Sequence, residues 1–210
     1  LRWGRFGRLL GTESHAFQLC DSVADHLCGV QTELITCLTQ WQPLETSEHA
    51  QAFIDRLEAV PRQLDALIEA LHERAAVGNI MPACIVRRVV EELAQLLALP
   101  MEQQPVYRRS VESAAVTDPA RIAGIVEKAF LPAFRKLHEL LVHDYPHEDR
   151  IGLCRLRDGE GFYRFLLKAH TTTDLSVADV HALGHEELER LQQATRKKLR
   201  AAGYRGDSLG

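Results

Sequence analysis

The sequence is poor in aromatic side chains, which make up 6% of its 210 residues, with only two Trp and two Met. It has no apolar run near the ~20 residues that a membrane-spanning helix needs. It has no excess of basic charge either: the formal net charge is -4, and no basic stripe compensates. That removes the electrostatic reason to expect a nucleic-acid partner. No segment reads G-x-x-x-x-G-K-[ST], G-x-G-x-x-G or G-x-S-x-G. The usual phosphate loop, dinucleotide fingerprint and nucleophile elbow are therefore absent. No cysteine pair has C-x-x-C spacing, and the total of five cysteines is odd. Cys20, Cys28, Cys37, Cys84 and Cys154 are expected to be reduced thiols, which mildly favours the cytoplasm. A periplasmic location stays open. The chain starts at Leu1, with neither an initiating Met nor a signal peptide, and reads as a piece of a longer protein.

What the sequence does contain is helical periodicity. With 46% hydrophobic and 26% charged residues, it has the composition of a globular chain. Leu1 to Gly11 reads as a connecting segment, and Thr12 to Cys28 as one short helix. Leu34, Ile35, Leu38 and Trp41 keep helical spacing up to Pro43. Thr46 or Ser47 caps a helix whose apolar face is Ala50, Phe53, Ile54 and Leu57. Pro61 is expected to kink that helix or start another, which carries Leu64, Leu67, Ile68 and Leu71. Gly78-Asn79 is a helix stop and Pro82 a restart. The wide stripe from Ile85 to Leu97 predicts a deeply buried helix. Asp118-Pro119 opens a further helix, running to about Val142, in which Pro132 should force a kink and free the carbonyl of Lys128.

Ile151 to Leu156 is the one predicted strand. It is followed by the Asp158-Gly159 turn and an amphipathic helix with Phe162, Phe165, Leu166 and Ala169. Ser176 to Asp179 forms a capping box for a last long helix, ending near Gly203. The predicted fold is mainly α: a single antiparallel helical body of about six or seven long helices, with one short strand–turn element near 151–159.

Ten histidines call for a metal test. His181 and His185 have the i, i+4 spacing of two zinc ligands. A zincin helix would need glutamate at position 182, which is alanine; the inverted form would need it at Gly184. No metal ligand set and no catalytic residue are therefore assigned to this chain. Glu91-Glu92, Glu186-Glu187 and Glu189 read as solvated helix faces, and His143, Asp144, His147 and Glu148 as a solvated loop. Thr171 to Thr173 read as a structured turn between helices, with anion binding as the sharper alternative.

Several stretches together carry a resemblance. They are Ala52-Phe53-Ile54-Asp55-Arg56-Leu57 with Val60-Pro61, the Gly78 to Pro82 turn, and Phe130-Leu131-Pro132-Ala133-Phe134. Arg155 to Tyr163, His170 to Ser176 and Val180 to Gly184 complete it. From Val30 to Gly210 the chain resembles the bacterial family called domain of unknown function 885; residues 1–29 are a poorly defined leading segment. The family usually has proline in place of Arg157, a departure that loosens the turn.

The resemblance implies a zinc-dependent, metallopeptidase-like hydrolase acting on peptides or small amides, with a body more than twice this long. It implies that the H-E…P-G-H zinc helix lies C-terminal to the region resembled, so the zinc belongs to the full-length protein. The chain is then expected to supply scaffold and one cleft wall, to be inactive by itself, and to dock with the missing C-terminal part. Tyr163, His170 and Thr171 are the candidate substrate-facing residues. The alternative is a non-enzymatic helical module that binds a protein partner.

Overall fold

The computed structural model describes residues 24–25, 27, 29–204 and 206. The expectations for Leu1 to Gly11 and for most of Thr12 to Cys28 lie outside them. Among the described residues the fold is mainly α, with no strand. The helices are α1 (Val30–Thr36), α2 (Ser47–Ala76), α3 (Ala83–Ala98), α4 (Pro105–Val111), α5 (Pro119–Ile125), α6 (Leu131–Glu139), α7 (Gly159–Thr171) and α8 (Val177–Ala201). Two compact units are formed, one within Phe17–Arg157 and one containing Asp158–Gly210.

In the first unit α2 is the longest element. Thr46 caps it: its hydroxyl oxygen accepts the His49 amide at 3.2 Å. Glu48 in the first turn has its carboxyl held low by hydrogen bonds from its own backbone amide and from Thr46. Phe53, Leu57, Val60, Leu64, Leu67 and Leu71 recur every three or four residues, and all are buried. Pro61 neither ends nor restarts this helix, which runs unbroken through it for 30 residues. An interior proline costs ~3 kcal/mol or more. Here Val60 and Leu64 on either side of it are buried in the same core, and their burial outweighs that loss.

The stop at Gly78 is a Schellman arrangement. The Asn79 amide bonds back to the Arg74 carbonyl at 2.9 Å and the Gly78 amide to the Ala75 carbonyl at 3.0 Å. Gly78 adopts φ 83°, which only glycine takes at little cost. The start of α3 has no side-chain cap. Instead the 145–148 loop serves it: the Met81 amide donates to the Tyr145 hydroxyl at 3.1 Å, and the Ala83 amide to the Glu148 carbonyl at 2.7 Å. At its other end the buried Gln104 donates through Nε2 to the carbonyls of Leu96 and Leu99. The helix itself is less buried than its wide stripe predicts. Val89, Leu93 and Leu96 are buried, whereas Ile85, Val86, Val90 and Leu97 are only partly covered.

Residues 119–144 form one continuous rod in which α-helix alternates with π turns. Asp118 caps it by accepting the Arg121 amide at 3.0 Å, and Pro119 occupies its first turn. The kink expected at Pro132 takes the form of a π turn over Val126–Phe130, where the Leu131 amide bonds to the Val126 carbonyl. Pro132 then sits in the first turn of α6, where a missing N–H is tolerated. The rod ends in a second π turn, Leu140–Asp144. Its buried face, Ile122, Val126, Phe130, Phe134 and Leu137, lies on the stripe of α2, while α6 also packs on α3. Exposed ion pairs, Arg121 with Glu58 at 3.3 Å and Lys136 with Asp65 at 2.6 Å, flank the seam and add under ~1 kcal/mol each.

The predicted strand at Ile151 to Leu156 is not formed. Gly152 turns the backbone to φ 79°, and Leu153–Arg155 is a single 3-10 turn closed by the Leu156 amide on the Leu153 carbonyl. Leu156 is buried but Cys154, which would share its face in a strand, is exposed, so the alternation of a half-buried strand is missing. The apolar run is too short for its period to separate one turn from one strand.

Two outcomes follow. Phe134 is fully buried and tilts against Phe130 at 4.7 Å between ring centres. Phe134→Ala is expected to destabilise the first unit by about 3–5 kcal/mol in denaturant unfolding. Glu148 accepts the Arg150 amide and guanidinium at 2.7–3.1 Å, which lowers its carboxyl from 4.5 to about 2. A depressed carboxyl stabilises the fold above its ordinary value and loses that contribution as pH falls toward 2. Arg150→Ala should raise the Glu148 titration toward the ordinary carboxylate range by NMR, and lessen the loss of stability between pH 4.5 and 2.

Candidate functional site

The three substrate-facing candidates lie on α7, in the second unit. Asp158 starts this helix, its Oδ1 accepting the Gly161 amide at 3.2 Å. A Cβ at 161 would stand 2.5 Å from Asp158 Oδ2, so a larger residue there would have to displace the capping carboxylate. Arg157, which precedes it, does not disturb this cap. Phe162 and Phe165 form the buried side, with near-parallel rings 6.4 Å apart.

Tyr163 and His170 are seven residues apart, which places them within about 20° of each other around the axis and about 10 Å apart along it. Both are exposed, Tyr163 at 45%, and they line one ridge beside the buried side. Thr171 is turned a further ~100° around the helix. The structure therefore brings Tyr163 and His170 onto one ridge and leaves Thr171 off it.

Thr171 has another task. Its hydroxyl donates to the Leu167 carbonyl at 2.8 Å, accepts the Thr173 amide at 3.3 Å and lies 3.0 Å from the Thr173 hydroxyl. Thr172 ends α7 in the left-handed region at φ 57°, its amide on the Lys168 carbonyl at 2.9 Å. Lys168 and Asp174 pair across the turn at 3.0 Å. The Thr171 and Thr173 hydroxyls thus bond within the turn, which matches the structural reading of the three threonines. Beyond it Ser176 and Asp179 form the predicted capping box, with both amide bonds at 3.1 Å. Hydrogen bonds from Ser176 hold the Asp179 carboxyl low.

His181 and His185 meet edge to face, with ring centres 4.5 Å apart. Two imidazoles supply two of the three or four ligands that zinc takes. Among the described residues no group of three or more His, Cys, Asp or Glu is arranged to hold a metal ion. These side chains do not fit a zinc centre. The described thiols, Cys37, Cys84 and Cys154, are free.

One polar group that sequence reasoning passed over is Arg155, in the first unit. Its Nη2 donates to Asn79 Oδ1 at 3.4 Å, while Nε and Nη1 are buried without a partner. With Arg74 it partly offsets the burial that pushes the Tyr145 phenol up. It sits in the single 3-10 turn Leu153–Arg155, too short for periodicity to mark a residue as inward-facing.

The cap of α7 is directly testable. Asp158→Ala should cost about 0.5–2 kcal/mol of local stability. Amide hydrogen exchange would register this as faster exchange in α7, while the amides of α2 are unchanged.

One solved structure, described as "the putative lipoprotein from Colwellia psychrerythraea", is similar at 19% identity with a TM-score of 0.77. The match covers 88% of this chain but 34% of that one, so the chain spans about a third of the related fold. No curated protein matches. The model of the family described as "Bacterial protein of unknown function (DUF885)" matches residues 10–209, and the chain belongs to this family.

Proposed function

We propose that this chain forms scaffold and one cleft wall of a zinc-dependent, metallopeptidase-like hydrolase acting on peptides or small amides. The observation that carries the reading is one of proportion. Family sequence occupies residues 10–209, yet the related solved chain is about three times as long as the matched part. Zinc and its ligands would come from outside these residues, since His181 and His185 alone do not make a centre. The ridge of Tyr163 and His170 is this chain's contribution to substrate. A phenol and an imidazole about 10 Å apart along a helix suit an extended peptide, whose backbone offers donors and acceptors at a 3.2–3.4 Å rise per residue. Either side chain can donate a hydrogen bond to a peptide carbonyl. Thr171 lies off this ridge, with its hydroxyl bonded within its own turn.

The second reading, a non-enzymatic interaction module, draws on a different observation: Leu183, Leu188 and Leu191 are about half exposed on α8.

The isolated chain is expected neither to hydrolyse peptides nor to bind zinc tightly. Titration with short N-acetylated peptide amides should shift the NMR signals of Tyr163 and His170, and Tyr163→Ala with His170→Ala should abolish the response. Stoichiometric tight zinc binding by calorimetry, or peptide shifts that bypass this ridge, would overturn the assignment.

A further inference from the structure

Several segments of the first unit meet around one guanidinium. Arg74 lies in the last turn of α2 and Asn79 in the turn that follows. Tyr145 and Glu148 belong to the loop after the rod, and Arg155 ends the Leu153–Arg155 turn. Arg155 Nη2 reaches Asn79 Oδ1 at 3.4 Å, a long bond to a neutral acceptor. Its Nε and Nη1 are removed from water and donate to no atom among the described residues. Burying a charged donor without an acceptor is costly, and native folds rarely leave one so.

The groups around it do not supply that acceptor. The carboxylate within its electrostatic reach is Glu148, which Arg155 helps to keep ionised. Both Glu148 oxygens are engaged by Arg150, Oε1 at 2.9 and 3.1 Å and Oε2 at 2.7 Å. The Tyr145 oxygen accepts the Met81 amide at 3.1 Å, which leaves its own proton to donate. The charges that act on this phenol, Arg155 and Arg74, are both positive. Asn79, Met81 and Leu156 are buried, whereas Arg74, Tyr145, Glu148 and Arg155 are partly exposed, so the donors lie just beneath the surface.

We propose that the Arg155 guanidinium, with the Tyr145 hydroxyl and Arg74 beside it, binds a carboxylate ligand. The unmet groups are donors, so the ligand is an acceptor and an anion. Arg155 Nε, Arg155 Nη1 and the Tyr145 hydroxyl can serve both oxygens of a planar carboxylate, whereas a phosphate dianion carries further oxygens for which they have no donor. A small free acid and the C-terminus of a peptide present the same group. The site belongs to the first unit and does not depend on the Tyr163–His170 reading.

The Arg155 Nε–Hε signal in 15N NMR reads the site directly. Titrating the 210-residue chain with sodium acetate should move this signal to saturation, and sodium chloride at equal ionic strength should not. Saturating acetate should also raise the Tyr145 titration further, because a neighbouring carboxylate opposes ionisation of the phenol. Arg155→Lys should weaken acetate binding about tenfold or more, read on the Tyr145 ring signals, since an ammonium does not reproduce the guanidinium's fixed donors. Arg121→Lys, in an exposed ion pair of α5, should leave it unchanged. N-acetylglycine binding more tightly than acetate, with N-acetylglycine amide silent, assigns the site to peptide C-termini. Equal affinity for acetate and N-acetylglycine assigns it to a small free acid. An Arg155 signal that no carboxylate moves means that water alone satisfies the guanidinium, and overturns the proposal. Chloride or inorganic phosphate binding as tightly as acetate overturns it too.

Discussion

The seam between α2 and the 119–144 rod is the constraint on which the first unit depends. Phe53, Leu57, Val60, Leu64 and Leu71 on one side, and Ile122, Val126, Phe130, Phe134 and Leu137 on the other, are almost wholly removed from water. At roughly 1.5–3 kcal/mol for each large side chain, that burial exceeds any single polar contact in the unit. It lets α2 tolerate Pro61 and lets the rod widen into π turns without breaking. The apolar face must stay in register with its partner, and the backbone yields by one residue at Val126–Phe130 to keep it so. The surface pairs Arg121–Glu58 and Lys136–Asp65 follow this geometry and do not create it.

Because that seam is periodic, most of it was legible in the sequence. The stripes of α2 and of the rod can be counted at i, i+3 and i+4. The stops and starts rest on local chemistry that one residue can announce: Thr46, Gly78, Asp118, Asp158 and Ser176 each act as expected. What was not legible depended on partners distant in sequence. Proline rules set the continuity of α2 against a local cost, and only the packing of Val60 and Leu64 decides the balance. The start of α3 is completed by Tyr145 and Glu148, more than sixty residues later. Ile151 to Leu156 had strand composition but no strand to pair with among the described residues, and a lone strand leaves its backbone groups without partners.

The candidate site divides in the same way. That Tyr163 and His170 flank the Phe162 and Phe165 side follows from helical spacing, and the structure has them there. Thr171 is the neighbour of His170 in sequence. On a helix adjacency means a turn of about 100°, so neighbouring residues serve different surfaces. Its hydroxyl bonds to the Leu167 carbonyl, as threonines near the end of a helix often do, and so it helps to shape the turn.

A helix such as α8 poses a problem of stability that the first unit does not. Its 25 residues exceed the length at which an isolated helix is marginal in water, and its caps contribute at both ends. Local propensity therefore accounts for its being helical. It does not account for the leucines. A helix that needed only to be soluble would gain by replacing Leu183, Leu188 and Leu191 with polar helix formers of similar propensity. Leaving three of them about half exposed on one side has a cost in water, and a covering surface would relieve it.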